Sequence, residues 1–383
     1  MGTALSNFND FMNLTGPRYL TSAEQVVNEA VENTYLLSRM LKGMDTVIQG
    51  GSTIRDTLML DENKTYDHYQ PNDTFTWTNP EVATNLEIDW RFSIDHLSWT
   101  DQEIELQVGD GLSRDAQKVV YKRLKRLKEQ RLWTSIMNGM EADLWRKPAD
   151  SGTFDMESTT GKVPYSIPAF IHEDNSGAAH WNFGSDTLQG LDISNAGSKY
   201  NNQVSNYDYN DPDDSDGDND GLLDAFDEMF LKVQFVPPAT KQEYFESPNL
   251  SRQFIAASRS GINLYKRMLR DANDTLVNRQ DPAYNNPQYS GIDVMYISKL
   301  DSAAIYNDGG TGAIEASATT PGNRFYWVNA NYLTPVYHSR RYFFKHDVMQ
   351  HPNQPFTHVQ PVDCWWNMFC SSRMRQGIVA PGA

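Results

Sequence analysis

The chain has 383 residues, 39% of them hydrophobic, enough for two or three domains and a substantial core, with no apolar run near the ~18 residues that suggest a membrane span. Asp plus Glu (50) outnumber Lys plus Arg (33), and the net charge of −17 sets the surface as a whole against tight nucleic-acid binding. The start, Met1-Gly2-Thr3-Ala4, lacks the pattern of a secretory signal, and Cys364 and Cys370 lack CxxC spacing, which argues against a zinc or redox site and fits a reducing, intracellular origin.

Thr21 and Glu24 form a capping box, after which Val27, Ala30, Val31, Leu37, Met40 and Leu41 share one helical face up to Gly43. This predicts an amphipathic helix whose apolar stripe must dock on the rest of the fold or on a neighbouring subunit. From Thr46 to Leu60 the pattern is strand, a Gly50-Gly51 break, and strand again; the turn-rich stretch Asp61 to Asp73 then makes a long hairpin. On the return limb Leu86, Ile88, Trp90, Phe92 and Ile94 alternate with polar residues, and Ile104, Leu106 and Val108 resume the alternation, so about twenty residues are expected to be extended.

Ser113 caps the clearest helix, which runs to Trp145 and stops near Pro148; it should be on the order of 45 to 50 Å long, the length of a structural spine. Residues 150–220 are rich in Gly, Ser, Asn and Asp and read as a loop-rich insertion. Helices are expected at Leu222–Leu231 and Gly261–Arg270, where Ile262, Tyr265 and Leu269 share a face. Strands are expected at Lys232–Val236, Phe254–Ala257, Gly291–Ser298, Arg324–Val328, Tyr342–His346 and Cys364–Ser371. The class is α+β.

The sharpest chemical motif is acidic. Asp216, Asp218, Asp220, Gly221, Asp224 and Asp227 occupy positions 1, 3, 5, 6, 9 and 12 of a calcium loop, in which the glycine allows the turn that gathers the carboxylates. Position 12 is Asp where a bidentate Glu is usual, and the preceding Asn201 to Asn210 reads as polar and turn-like. The plainer reading is a solvated turn whose last carboxylates favour the start of the Leu222 helix. Lys118, Lys122, Arg123, Lys125, Arg126, Lys128 and Arg131 concentrate positive charge on the spine; the plain reading is a solvated face, and pairing with acids of adjacent subunits, such as Glu87, Asp89 and Asp95, fits better than phosphate contact. The eight histidines are scattered, and no nucleophile elbow, Walker loop or dinucleotide fingerprint is visible. The chain reads as a non-enzyme with no required cofactor, and calcium at the acidic loop is the one cofactor the residues suggest.

The order of parts, arm helix, long hairpin, spine helix, loop-rich α+β region and terminal strands, resembles the Hong Kong 97 capsid fold of tailed-bacteriophage major capsid proteins. Val47-Ile48-Gln49-Gly50-Gly51, the hairpin through Tyr66, Tyr69 and Phe75, and the strand Leu86 to Ile94 look like the family's extended loop and its base. Arg324 to Val328, Tyr342 to His346 and the close from Val362 to Pro381 are similar to its C-terminal part. On this resemblance residues 1–45 are an N-terminal arm, 46–108 the extended hairpin loop and its base strands, 109–150 the spine of a peripheral domain, 151–335 an axial domain with its insertion, and 336–383 strands returning to the peripheral domain.

The resemblance implies a structural protein that self-assembles into hexamers and pentamers of an icosahedral head around double-stranded DNA, within the virion shell, built in the host bacterial cytoplasm with no membrane. It implies as partners a portal and decoration proteins and, since few residues precede the arm helix, a separate scaffolding protein. The only hairpin lysine is Lys64, with no identifiable partner, so no covalent crosslink is expected. Trp90, Phe92, Trp365 and Trp366 are expected as buried anchors. The alternative reading is a calcium-stabilised carbohydrate-binding or hydrolytic module, suggested by the Asp216 loop and the many aromatic residues.

Overall fold

The computed structural model describes residues 46–60, 66, 68–70, 73–74, 83–105, 114–146, 148, 156, 161–172, 187–192, 200–208, 211–212, 221–234, 252–272, 287–301, 316–317, 320–321 and 323–381. The arm helix, Lys64 and most of the hairpin tip lie outside the described residues, as do Asp216, Asp218 and Asp220. The described strands form two six-stranded sheets and three two-stranded ribbons, with helices beside them, so the expected α+β class is found.

The first sheet is organised by the strand Gln354–Cys370, 17 residues long. Strand Arg91–Thr100 pairs antiparallel along one side of it, from Trp366↔Arg91 to Thr357↔Thr100. On its other side Leu333–His338, Phe344–Lys345 and Met349–His351 pair with it in succession, and Thr46–Ile48 joins the outer edge of Leu333–His338 in parallel. The second sheet runs in the order Gln203–Tyr207, Gly377–Pro381, Phe325–Asn329, Gln253–Ala257, Ile292–Tyr296 and Gln288–Tyr289. Its parallel pairings are Gln203–Tyr207 with Gly377–Pro381 and Gln253–Ala257 with Ile292–Tyr296.

The spine is a single helix, Arg114–Leu144, of 31 residues and therefore about 46 Å. Its far end delivers Met140, Leu144 and Trp145 into the main core, where they meet Ile54, Leu86, Ile88 and Trp90 of the hairpin base and Phe254, Ala256, Tyr326 and Val328 of the second sheet. Helices Leu222–Val233 and Arg259–Ala272 cover the opposite face of that sheet; Phe226, Met229 and Tyr265 pack on Ile255, Phe325, Trp327 and Val379. Midway along the spine, Leu132 packs against Leu97, Trp99 and Val362 of the first sheet.

Two buried polar side chains tie distant segments together, and both satisfy their hydrogen bonds, as burial demands. Asn367 accepts from the N–H groups of Tyr165 (2.8 Å) and Met368 (2.9 Å) and donates to the Asp89 carbonyl (2.7 Å). The Arg373 guanidinium donates to the carbonyls of Phe170 (2.9 Å) and Tyr200 (3.1 Å) and to Asn202 Oδ1 (3.2 Å), and burial depresses its pKa.

Several expectations need correction. The alternation of the hairpin return limb does not resume at Ile104: the strand ends at Thr100 and a short helix, Asp101–Glu105, follows, while Leu106 and Val108 lie outside the described residues. The cause is a capping box in the sequence, in which Thr100 Oγ1 accepts the Glu103 N–H and Glu103 Oε2 accepts the Thr100 N–H, both at 3.3 Å. Asn201 to Asn210 is not turn-like throughout, because Gln203–Tyr207 is a strand beside Gly377–Pro381. Lys232 and Val233 close the preceding helix and form no strand.

Candidate assembly surfaces

Residues directly opposite in an antiparallel pair share a face, so the register of the first sheet assigns its two sides. Leu97, Trp99, Val362, Cys364 and Trp366 face inward and are buried. Phe92 stands opposite Trp365, and Ile94 and Phe344 both stand opposite Asp363, on the outward side. There Phe92 is 61% exposed, Ile94 73% and Phe344 44%.

Phe92 is therefore not a buried anchor, although Trp90 and Trp366 are, and Trp365 is half-buried. The pattern slips at two consecutive buried residues, Trp90 and Arg91. Trp90 Nε1 donates to the Gly51 carbonyl at 3.0 Å. Arg91 can turn inward because its guanidinium donates to the carbonyls of Gly161 (2.5 Å) and Met156 (2.7 Å). Every apolar residue after that point exchanges faces, since a strand has a side-chain period of two.

The outward face carries one polar cluster. Asp363 lies 3.3 Å from Arg341 and 3.2 Å from His346, and the Arg341 guanidinium sits over the rings of Phe344 (5.0 Å) and Trp365 (5.5 Å). Phe92 and Trp365 meet edge to face at 4.8 Å. The result is an aromatic surface with a charged corner, of the composition found at protein interfaces.

The hairpin, with Thr53–Met59 paired to Ala83–Asp89, buries Ile54, Leu86 and Ile88 at its base and exposes Met59, Tyr66 and Tyr69 farther out. Arg55 and Glu87 pair across it at 2.7 Å, which lowers the Glu87 pKa through the Arg55 hydrogen bond. Glu87 is thus engaged within its own hairpin. On the spine, Lys128 pairs with Glu103 (2.5 Å) and Glu129 with Lys345 (2.5 Å), both within the subunit, while Lys122, Arg126 and Arg131 are exposed. Lys128 is thus engaged within its own subunit.

Of the acidic motif the described residues include Gly221, Asp224 and Asp227. Asp224 and Asp227 are exposed on Leu222–Val233, and the Asp227 carboxylate accepts the Tyr289 hydroxyl, whose pKa is raised mainly by burial and further by that contact. Among the described residues no three His, Cys, Asp or Glu side chains are grouped to hold a metal. Burial pushes the Cys364 and Cys370 thiols up to about 12, far from the range of a reactive nucleophile. No described helix is long and apolar enough to cross a membrane.

No protein-family model matches the chain, and no curated protein matches it. Solved structures do. The capsid of a native GTA particle aligns over 100% of both chains with a TM-score of 0.51 at 9% identity. The chain has a Hong Kong 97-like capsid fold. The capsid of Myoviridae phage XM1 covers 96% of this chain and 100% of its own, with a TM-score of 0.50 at 8% identity. The capsid of an empty GTA particle covers 94% of this chain and 100% of its own, with a TM-score of 0.51 at 9% identity. Sequence identity this low leaves the shared capsid fold as a matter of backbone architecture, with side-chain surfaces particular to each chain.

Proposed function

We propose that this chain is the major capsid protein of a tailed bacteriophage, a structural and non-catalytic subunit that assembles with copies of itself into the hexamers and pentamers of an icosahedral head around double-stranded DNA. The observation that carries the reading is the aromatic face of the first sheet, exposed at Phe92 and Phe344 among the described residues, in a chain whose second sheet is covered on both sides. A contiguous apolar surface of this kind marks a contact that another molecule completes, and the capsid fold supports a copy of the same chain as that molecule. The net charge of −17 suits an inner wall that contains DNA without gripping it. A separate scaffolding protein, a portal and decoration proteins are the further partners of this reading, and the virion shell, built in the bacterial cytoplasm, its location.

The test is direct. The purified full chain, alone and co-expressed with a candidate scaffolding protein, should form capsomers or closed particles in negative-stain micrographs. A chain that stays monomeric at all concentrations under both conditions defeats the proposal.

A calcium ion at Asp216, Asp218, Asp220, Asp224 and Asp227 is a separate proposal, and binding there would have to draw Asp227 away from Tyr289. Calcium at 100 times its dissociation constant would add about 2.7 kcal/mol by linkage and raise the thermal midpoint. An unchanged midpoint ends the calcium reading and leaves the solvated acidic turn.

A further inference from the structure

The strand Arg91–Thr100 lies at an edge of its sheet: it pairs with Gln354–Cys370 and, among the described residues, with no strand on its other side. The direction of its main-chain groups follows from the proline opposite His96. Pro361 has no N–H, and its carbonyl accepts the His346 N–H (3.0 Å) from the far side of the sheet. Main-chain hydrogen bonds therefore do not cross at the His96–Pro361 pair, and the polar groups of His96 turn to the open edge. Antiparallel pairs alternate between bonded and non-bonded, so Ser98 and Thr100 turn the same way.

Each of these three residues has a main-chain group engaged by a charged side chain. Asp95 Oδ1 accepts the His96 N–H at 2.7 Å. Lys128 Nζ, reaching from the spine helix, donates to the Ser98 carbonyl at 2.9 Å. Glu103 Oε2 accepts the Thr100 N–H at 3.3 Å and is itself held by Lys128 at 2.5 Å. The Lys128 and Glu103 side chains are only 13% and 19% exposed. Among the described residues space does not protect this edge, because an open cleft of about 510 Å³ runs beside it, lined by Leu97, Trp99, Arg131, Leu132 and Ser135.

We infer that Asp95, Glu103 and Lys128 form a plug over the open edge of Arg91–Thr100 that stops a second copy of this chain from adding a strand there. An unprotected edge is a template for further strands, and charged side chains along it are a recurrent protection. A strand entering the cleft must take Lys128 from the Ser98 carbonyl and leave the half-buried Glu103 without its cation, a loss that the incoming backbone cannot replace. Copies of the chain are thereby directed to meet through their faces, where Phe92 and Ile94 are exposed, and not through this edge. The inference goes beyond the capsid reading and applies to the free chain whether or not it builds shells.

Full-length Lys128→Met is the test, with circular dichroism to establish the native fold and with sedimentation and thioflavin fluorescence to measure polymer. Loss of a charged hydrogen bond to the edge carbonyl should increase strand-linked polymer about tenfold at a fixed concentration. Adding Ser98→Pro to that variant should return polymer to the wild-type level, because proline at an edge position denies an incoming strand its N–H partner. Asp95→Ala, which frees the His96 N–H and leaves the ion pair intact, should raise polymer in the same direction and by less. Wild-type sedimentation for both Lys128→Met and Asp95→Ala, or polymer that Ser98→Pro does not reduce, overturns the inference.

Discussion

The two sheets have six described strands each and share one chain, yet they are finished differently. In the second, Gln253–Ala257, Phe325–Asn329 and Gly377–Pro381 are buried at every residue, with two helices on one face and the main core on the other. In the first, Arg91–Thr100 alternates between buried and exposed residues, but its exposed positions include Phe92 and Ile94. An ordinary half-exposed strand turns polar residues to water. The contrast separates a sheet whose apolar surface is closed within the subunit from one whose apolar surface is, among the described residues, exposed.

The closed sheet should respond most strongly to substitution. Trp327 is fully buried among Phe226, Phe230 and Tyr289, so Trp327→Ala should cost about 3–5 kcal/mol of unfolding free energy, measured by chemical denaturation. A loss below 1 kcal/mol would mean that the second sheet is not the self-sufficient half. At the open side the expected stability change is much smaller. Phe92→Ser with Ile94→Ser should move unfolding by about 0.5 kcal/mol or less in either direction, as exposed substitutions do. The same double variant should abolish particles in negative stain. Particles formed at wild-type yield would show that this face is not where copies meet.

The helices were the most legible part of the sequence. The spine, expected from Ser113 to Trp145, spans Arg114–Leu144, and the expected Gly261–Arg270 lies within Arg259–Ala272, because both carry sustained apolar spacing. The strands of the covered sheet were found at Phe254, Ile292 and Phe325, where short apolar runs stand between turn formers. Gln203–Tyr207 was missed because its sequence is polar and its place is fixed by its parallel neighbour Gly377–Pro381, a long-range pairing that no local pattern records.

The assembly surface was legible only in part. The alternation from Leu86 to Ile94 is real as a period, but the buried Arg91 exchanges its faces, and the distant carbonyls of Met156 and Gly161 help to make that burial possible. The edge plug could have been partly anticipated: Thr100 and Glu103 have capping-box spacing, whereas the arrival of Lys128 at Ser98 depends on how the spine crosses the sheet.

Strand Gly377–Pro381 lies inside the second sheet, between Gln203–Tyr207 and Phe325–Asn329, and not at its border. This sheet therefore cannot close until residues 377–381 have been synthesised, and Gln203–Tyr207 waits for a partner far along the chain. Long-range pairings of this kind slow folding, which gives chaperones a window to act on a nascent chain and places completion of this sheet after translation of residues 377–381.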